Sequence, residues 1–193
     1  MGLVPVLHAL KSMCFCSPTP DTHTVWERKV KLPKHGLGIM VRSRCIIERG
    51  NTILLQREKT GVYSVPGGRV EFLESIPFTV IREMREEAGI EVVPDRLVYI
   101  VETLNERKGR PRHEILFYFK CSLLSGSPRG EFKNMVFEWR NPLEVKDNFW
   151  PPGMAERIAE DMPDFEKAYF IVYVDENLKF INTFTTPISF QTL

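Results

Sequence analysis

The chain has few cysteines, no long apolar run, no excess of either charge and no internal repeat. Four cysteines (Cys14, Cys16, Cys45 and Cys121) among 193 residues do not make a disulfide framework in a chain long enough to bury its own core. Cys14-Phe15-Cys16 has no second Cys/His pair at zinc spacing and reads as inert. A reducing, cytoplasmic compartment is therefore expected. No apolar run approaches the ~20 residues of a membrane span. Lys and Arg number 26 and Asp and Glu 25, and the net charge of +1 argues against a large basic footprint for duplex nucleic acid. The apolar run Leu3 to Leu10 is followed, not preceded, by Lys11, the reverse of a signal peptide. Val6 stands where a myristoylation signal at Gly2 would want Ser or Thr. Residues 1–35 are expected to be a poorly ordered extension, a loose tail or the product of a start placed too far upstream.

What is present suits a soluble globular protein: 43% hydrophobic and 26% charged residues. Gly38 to Glu48 and Thr52 to Arg57 read as a strand pair turning at Arg49-Gly50-Asn51. Tyr63 to Pro66 is a short strand ahead of Gly67-Gly68. Glu91 to Pro94, Leu97 to Leu104 and the aromatic-rich Arg112 to Cys121 are strand-like, with a charged loop from Asn105 to Pro111. Pro151 to Met162 carries Met154, Ile158 and Met162 at helical spacing. Tyr169 to Val174 and Leu178 to Thr183 read as a hairpin around Asp175-Glu176-Asn177, able to join a sheet edge or a second subunit in a homodimer.

The rest is organised around Gly68 to Ile90. After the Gly67-Gly68 turn an amphipathic helix is expected from about Ser75 to Ala88. Ser75 serves as N-cap, Pro77 lies in the first turn, and Gly89 takes the left-handed stop. Glu83, Glu86 and Glu87 fall at i, i+3 and i+4, so their carboxylates share a face. Like charges that close repel, which points to a cation among them. A hard cation such as Mg²⁺ combines a few carboxylates with water and substrate phosphate.

This stretch resembles the Nudix box at every defining position: Gly68, five residues, Glu74, seven residues, Arg82-Glu83-Met84, one residue, Glu86-Glu87, one residue, Gly89-Ile90. The wider resemblance to Nudix hydrolases runs from about Gly36 to Met162. It implies an α/β fold, an α/β/α sandwich with a mixed β-sheet and the loop–helix–loop box in residues 36–165. Residues 166–193 would form a C-terminal β-hairpin extension. The resemblance also implies hydrolysis of a small nucleoside diphosphate derivative with Mg²⁺ or Mn²⁺. By it, Glu83, Glu86 and Glu87 match the metal-binding acids, and a carbonyl of Gly67 or Gly68 is a further candidate ligand.

Other roles stay open at this stage. Glu74 and Arg82 read as an ion pair that orients the box. The general base is left open by the sequence, with Glu114 the leading candidate and Glu102, Glu106 and Glu83 as alternatives; His113 reads as structural, since Mg²⁺ prefers oxygen. Arg57, Lys59, Arg69 and Arg112 flank the box as candidate phosphate contacts, Arg69 foremost. Tyr63, Phe72, Tyr99 and Trp139 are candidates for stacking on a base. Competing classes are a non-catalytic nucleotide sensor, which the complete set of box acids disfavours, and a pyrophosphohydrolase of RNA caps. An isomerase of the isopentenyl diphosphate type would need a Cys-His-Pro setting that no cysteine here has. Asn105 and Glu106 lie where ADP-ribose hydrolases tend to carry Pro, which leaves nucleoside triphosphates and nucleotide sugars or alcohols.

Overall fold

The computed structural model describes residues 38–107, 110–162, 164–165, 168–176 and 179–188; at 107, 110, 174–176 and 179–188 it describes the backbone path alone. The N-terminal extension expected at 1–35, with Cys14 and Cys16, lies outside the described residues.

Two sheets organise the fold. The first is mixed and six-stranded. Its strands are β1 (Met40–Ile46), β5 (Gly67–Arg69), β6 (Glu91–Arg107), β7 (Arg110–Ser125), β10 (Ala168–Glu176) and β11 (Lys179–Ile188), in the order β11-β10-β6-β7-β1-β5. β1 runs parallel to β7, and β10 parallel to β6. The second sheet holds β2 (Glu48–Arg49), β3 (Thr52–Glu58), β9 (Met135–Arg140) and β8 (Glu131–Phe132), with β4 (Tyr63–Ser64) on β3.

The expected hairpin of Gly38 to Glu48 with Thr52 to Arg57 is thus only partly formed. β1 belongs to the first sheet, and just Glu48 and Arg49 turn back onto β3, against Ile53 and Thr52. The expected Asn105 to Pro111 loop is also mostly strand, because the β6–β7 ladder continues through Asn105↔Arg112, Glu106↔Pro111 and Arg107↔Arg110. Polar side chains read as a loop, yet backbone pairing does not require apolar ones. The hairpin at the C-terminal end does form, and it sits on the sheet edge through Tyr169↔Tyr99 to Val174↔Leu104.

Alternation along the strands makes two cores, one on each face of the first sheet. Cys45, Phe119 and Cys121 pack with Val80, Met84 and Ala88 of the box helix. Ile46, Val101, Leu116, Tyr118 and Ile171 pack with Met154, Ala155 and Ile158 of a second helix, α2 (Met154–Asp161). This is an α/β/α arrangement. It places the box helix, α1 (Ile76–Glu83), against β1 and the β5 edge, where Gly67 and Gly68 pair with Arg44 and Ser43. Cys45 and Cys121 are both buried free thiols. No helix among the described residues is long and apolar enough to cross a membrane.

Candidate active site

α1 starts where expected, with Ser75 at the N-cap position and Pro77 in the first turn, but the Ser75 side chain makes no cap hydrogen bond. Its carbonyl instead accepts from Thr79 N at 3.1 Å. The last turn differs from the expectation. Met84–Ala88 is wound as a π-helix, and Gly89 ends it at φ 72°. The wider turn lets both Gly89 N and Ile90 N reach Met84 O. Single π turns of this kind occur often at functional sites. Arg129 secures it from outside: its main-chain N donates to Ala88 O at 2.8 Å and its side-chain Nη1 to Glu86 O at 3.1 Å.

Glu83 is almost buried, and its carboxylate lies on the backbone of Gly68. A Cβ on Gly68 would stand 2.0 Å from Glu83 Oε1. Gly67 at φ 142° is equally constrained, since a Cβ there would meet Ser43 O at 2.1 Å. The glycine pair thus brings the β5 main chain directly against a box acid.

Arg82 gathers the acids. Its Nε donates to Glu74 Oε1 at 2.7 Å and its Nη2 to Glu74 Oε2 at 3.0 Å. Its Nη1 donates to Glu83 Oε1 at 2.9 Å and to Glu86 Oε2 at 3.3 Å, and Nη2 also reaches Arg69 O. Hydrogen bonding to Arg82 first, opposed by burial, brings the Glu74 carboxyl down to about 2. Glu87 goes the other way: burial first, then the charge of Glu83, pushes it up, with Lys133 and Arg44 partly offsetting this. Among the described residues no three carboxylate, imidazole or thiolate groups are placed so that they alone would hold a metal ion. What exists is an open cluster of oxygens on one turn, short of positive charge at Glu87 and abutting a main chain stripped of Cβ. This donor set fits a hard cation that keeps water and substrate oxygens as its other ligands.

The remaining sequence candidates lie as follows. Glu114 is buried on β7, where its Oε1 accepts from Arg42 Nε at 3.2 Å and stands 3.8 Å from Arg112 Nη2. Arg57 is paired with Glu138 at 2.8 Å, and Tyr63 donates to the same carboxylate oxygen at 3.3 Å. Arg69 is exposed beside the box, with no ion pair among the described residues. His113 and Glu102 bind each other at 2.6 Å on the opposite face of the sheet from Glu114. Of the stacking candidates, Tyr99 is fully buried and donates to Asp161 at 2.6 Å, so it is core. Trp139 carries Arg49 4.4 Å from its ring centre, and Phe72 is exposed.

Sequence reasoning missed Arg42 and Arg44. Arg44 is buried, donates through Nη1 to Val65 O and Gly67 O at 3.1 and 3.2 Å, and is held below its ordinary pKa by desolvation. The signal was available: two arginines at alternate positions of a strand that has to be central are out of place unless something anionic meets them.

Comparison with known proteins gives the family. The NUDIX domain profile matches residues 39–165. The chain therefore belongs to the Nudix family and is, by class, a pyrophosphohydrolase. A MutT-like protein of Streptomyces ambofaciens is 29% identical over 123 residues, covering 64% of this chain and 67% of that one. The NAD-capped RNA hydrolase NudC of Pseudomonas aeruginosa is 32% identical over 107 residues, 52% of this chain and 36% of that one. Among solved structures, a MutT protein from Bacillus halodurans superposes with a TM-score of 0.63 at 23% identity, over 77% of this chain and 97% of that one. An ADP-ribose pyrophosphatase from Streptococcus suis gives 0.53 at 22% identity, over 72% and 100%. Likeness at that identity establishes the fold.

Proposed function

We propose that the protein is a Mg²⁺- or Mn²⁺-dependent hydrolase that cleaves the pyrophosphate bond of a nucleoside diphosphate linked to another group, such as a nucleoside triphosphate or nucleotide sugar. The observation that carries this is the clustering of Glu83, Glu86 and Glu87 on one turn against the Cβ-free backbone of Gly68. These three carboxylates, with the Gly68 carbonyl, would hold the cation. Bound there, it would act as a Lewis acid on phosphoryl oxygens and lower the pKa of its water. Arg82 fixes the geometry of the box by holding Glu74 with one edge of its guanidinium and Glu83 with the other. Glu114 serves as the general base, and Arg69 faces the phosphates. Arg57 and Arg112 act there only by sharing their charge with Glu138 and Glu114. In domain terms, residues 36–165 are the catalytic unit, 166–193 a hairpin extension and 1–35 an N-terminal extension, in a cytoplasmic protein. The MutT-like, ADP-ribose pyrophosphatase and NAD-capped RNA hydrolase names of its relatives all fit cleavage within a nucleotide diphosphate, and they span the range to be tested.

The test is a panel of nucleoside triphosphates, nucleotide sugars, ADP-ribose, NAD and NAD-capped RNA with Mg²⁺ or Mn²⁺. Inorganic phosphate is scored with and without added phosphatase. Metal-dependent release of a nucleoside monophosphate from at least one member is expected. Inertness toward the whole panel with both metals would overturn the reading in favour of a nucleotide sensor.

A further inference from the structure

The β-ladders place an unusual set of side chains on the α2-facing side of the first sheet. β1 pairs Arg42 with Leu116 and Arg44 with Tyr118 on β7, and Arg42 with Arg69 on β5. β6 pairs Thr103 with Glu114 and Asn105 with Arg112. Since paired residues share a face and side chains alternate, Arg42, Arg44, Arg69, Arg112, Glu114, Thr103 and Asn105 all occupy one side.

Two features of this face are costly as it stands. Arg42 and Arg69 lie directly opposite each other on antiparallel strands, where like charges destabilise. Arg44 is only 6% exposed, yet its partners are main-chain carbonyls, and among the described residues no carboxylate lies within ion-pair distance of it. The carboxylate on this face, Glu114, contacts Arg42 and Arg112, and it acts on Arg44, as Glu83 does, only at longer range. The same face also holds three buried polar atoms without a hydrogen-bond partner: Arg44 Nε, Thr103 Oγ1 and Asn105 Nδ2. Two of the three can only donate, and the hydroxyl can. Buried donors left unpaired beside surplus cationic charge describe a surface that lacks an anion.

We propose that Arg42, Arg44 and Arg69, with the Thr103 hydroxyl and the Asn105 amide further along the ladder, line a face that binds the anionic oxygens of the substrate, of the phosphate or carboxylate class. The proposal rests on the nucleotide-hydrolase reading above, but it concerns binding and does not need the metal. The anion is either the scissile diphosphate or a further charged group on the linked moiety. Arg44 also braces the Val65–Gly67 main chain, so occupation of this face is felt at the glycine pair that abuts Glu83.

The experiment is calorimetric titration of the metal-free protein in EDTA with three base-free probes: imidodiphosphate, glucuronic acid 1-phosphate and glucose 1-phosphate. Wild type is compared with R42Q, R69Q and N105A, and with R85Q as a control that breaks only the exposed Arg85–Glu91 pair. R42Q and R69Q should each weaken at least one probe about tenfold and N105A about threefold, with R85Q unchanged. Weakening of imidodiphosphate assigns the anion to the scissile diphosphate. Weakening confined to glucuronic acid 1-phosphate, with glucose 1-phosphate unaffected, assigns it to a charge on the linked group. Wild type that binds none of the probes overturns the site, as do R42Q and R69Q that bind like wild type, or R85Q that weakens binding as much. Should R42Q fail to fold, the exposed Arg69 and the neutral Asn105 decide. Wild type that binds these probes yet hydrolyses no member of the substrate panel with Mg²⁺ or Mn²⁺ would count against the enzyme reading and leave the anion site standing.

Discussion

Arg82 and Glu74 meet through two parallel hydrogen bonds, 2.7 and 3.0 Å long, eight positions apart, from the end of the lead-in to the last turn of α1. A planar fork matched to a carboxylate is the strong form of such a contact, and both side chains are mostly buried, 18% and 9% exposed. The pair closes the loop between β5 and α1 onto the helix. With the same guanidinium reaching Glu83 and Glu86, loop closure and placement of the acids are one event.

Replacing Arg82 with Lys keeps the charge and removes the fork. We expect R82K to lose about tenfold in kcat. A double-mutant cycle with E74Q should give a coupling of about 2 kcal/mol, in the range of hydrogen bonds to charged groups. Glu74 titrates near 2 when folded. As a depressed acid it contributes stability that is fully present above the usual carboxylate range and lost as pH falls from there through about 2. The Tm difference between wild type and E74Q should therefore shrink over that window; a constant difference down to pH 2 would count against the clamp.

Gly68→Ala tests the contact between the β5 backbone and Glu83. The added methyl would fall on the carboxylate, so Glu83 must move. Overpacking of this kind costs about 1–3 kcal/mol. We expect a lower Tm and a kcat reduced by about 10²-fold. Gly38→Ala adds its methyl to open space and should be neutral. Wild-type kinetics in G68A would show that the position of Glu83 does not matter.

The parts of this site that were readable from sequence are those set by local spacing. Glu83, Glu86 and Glu87 recur at helical intervals, Gly89 is a glycine because it ends the helix left-handed, and the Glu74–Arg82 pair lies within reach along one element. What stayed hidden depends on partners far along the chain. The π turn is closed by Arg129, 43 residues from Glu86. Arg57 looked available for phosphate until β9 brought Glu138 beside it, and Arg112 until its own strand mate Glu114 turned to the same side. The same holds for the fold. Periodicity identified most strands, but nothing in the apolar pattern of Met40 to Arg49 says that the chain leaves one sheet at Ile46 and enters another at Glu48.

Glu86→Gln removes a charge from an exposed position on the π turn without touching the core. If Glu86 holds the cation, kcat should fall at least ~10²-fold, because metal charge stabilisation is worth several kcal/mol. Mn²⁺ binding, followed by electron paramagnetic resonance, should weaken in parallel, and Tm should stay within about 2 °C of wild type. Unaltered Mn²⁺ affinity would remove Glu86 from the metal site.

Glu87 should show a trade between stability and function. Its carboxyl is pushed up by burial and by Glu83. An acid raised on folding contributes stability at low pH that is lost as pH rises through its folded value. In metal-free protein, Glu87→Gln should therefore raise Tm by about 1–3 °C at pH 8 and leave it unchanged at pH 4. The same variant should bind Mn²⁺ more weakly. A Tm gain of equal size at both pH values would mean that repulsion is not its source.

The two roles proposed for Glu114 can be separated. As the counter-charge between Arg42 and Arg112 it is structural, and removing one member of a buried ionic cluster costs about 3–5 kcal/mol. As general base it should contribute ~10²–10⁴-fold to the chemical step. Glu114→Gln preserves volume and one acceptor for Arg42 but cannot take a proton. We expect a Tm lowered by several degrees together with a kcat lowered at least ~10²-fold, measured well below that Tm so that the variant is folded. Mn²⁺ affinity should be unchanged, because the contacts of Glu114 are with arginines and not with the box helix. A variant that melts early yet turns over within threefold of wild type in the cold would leave Glu114 as a strut for Arg42 and move the base to Glu83, the box acid whose carboxylate lies against Gly68.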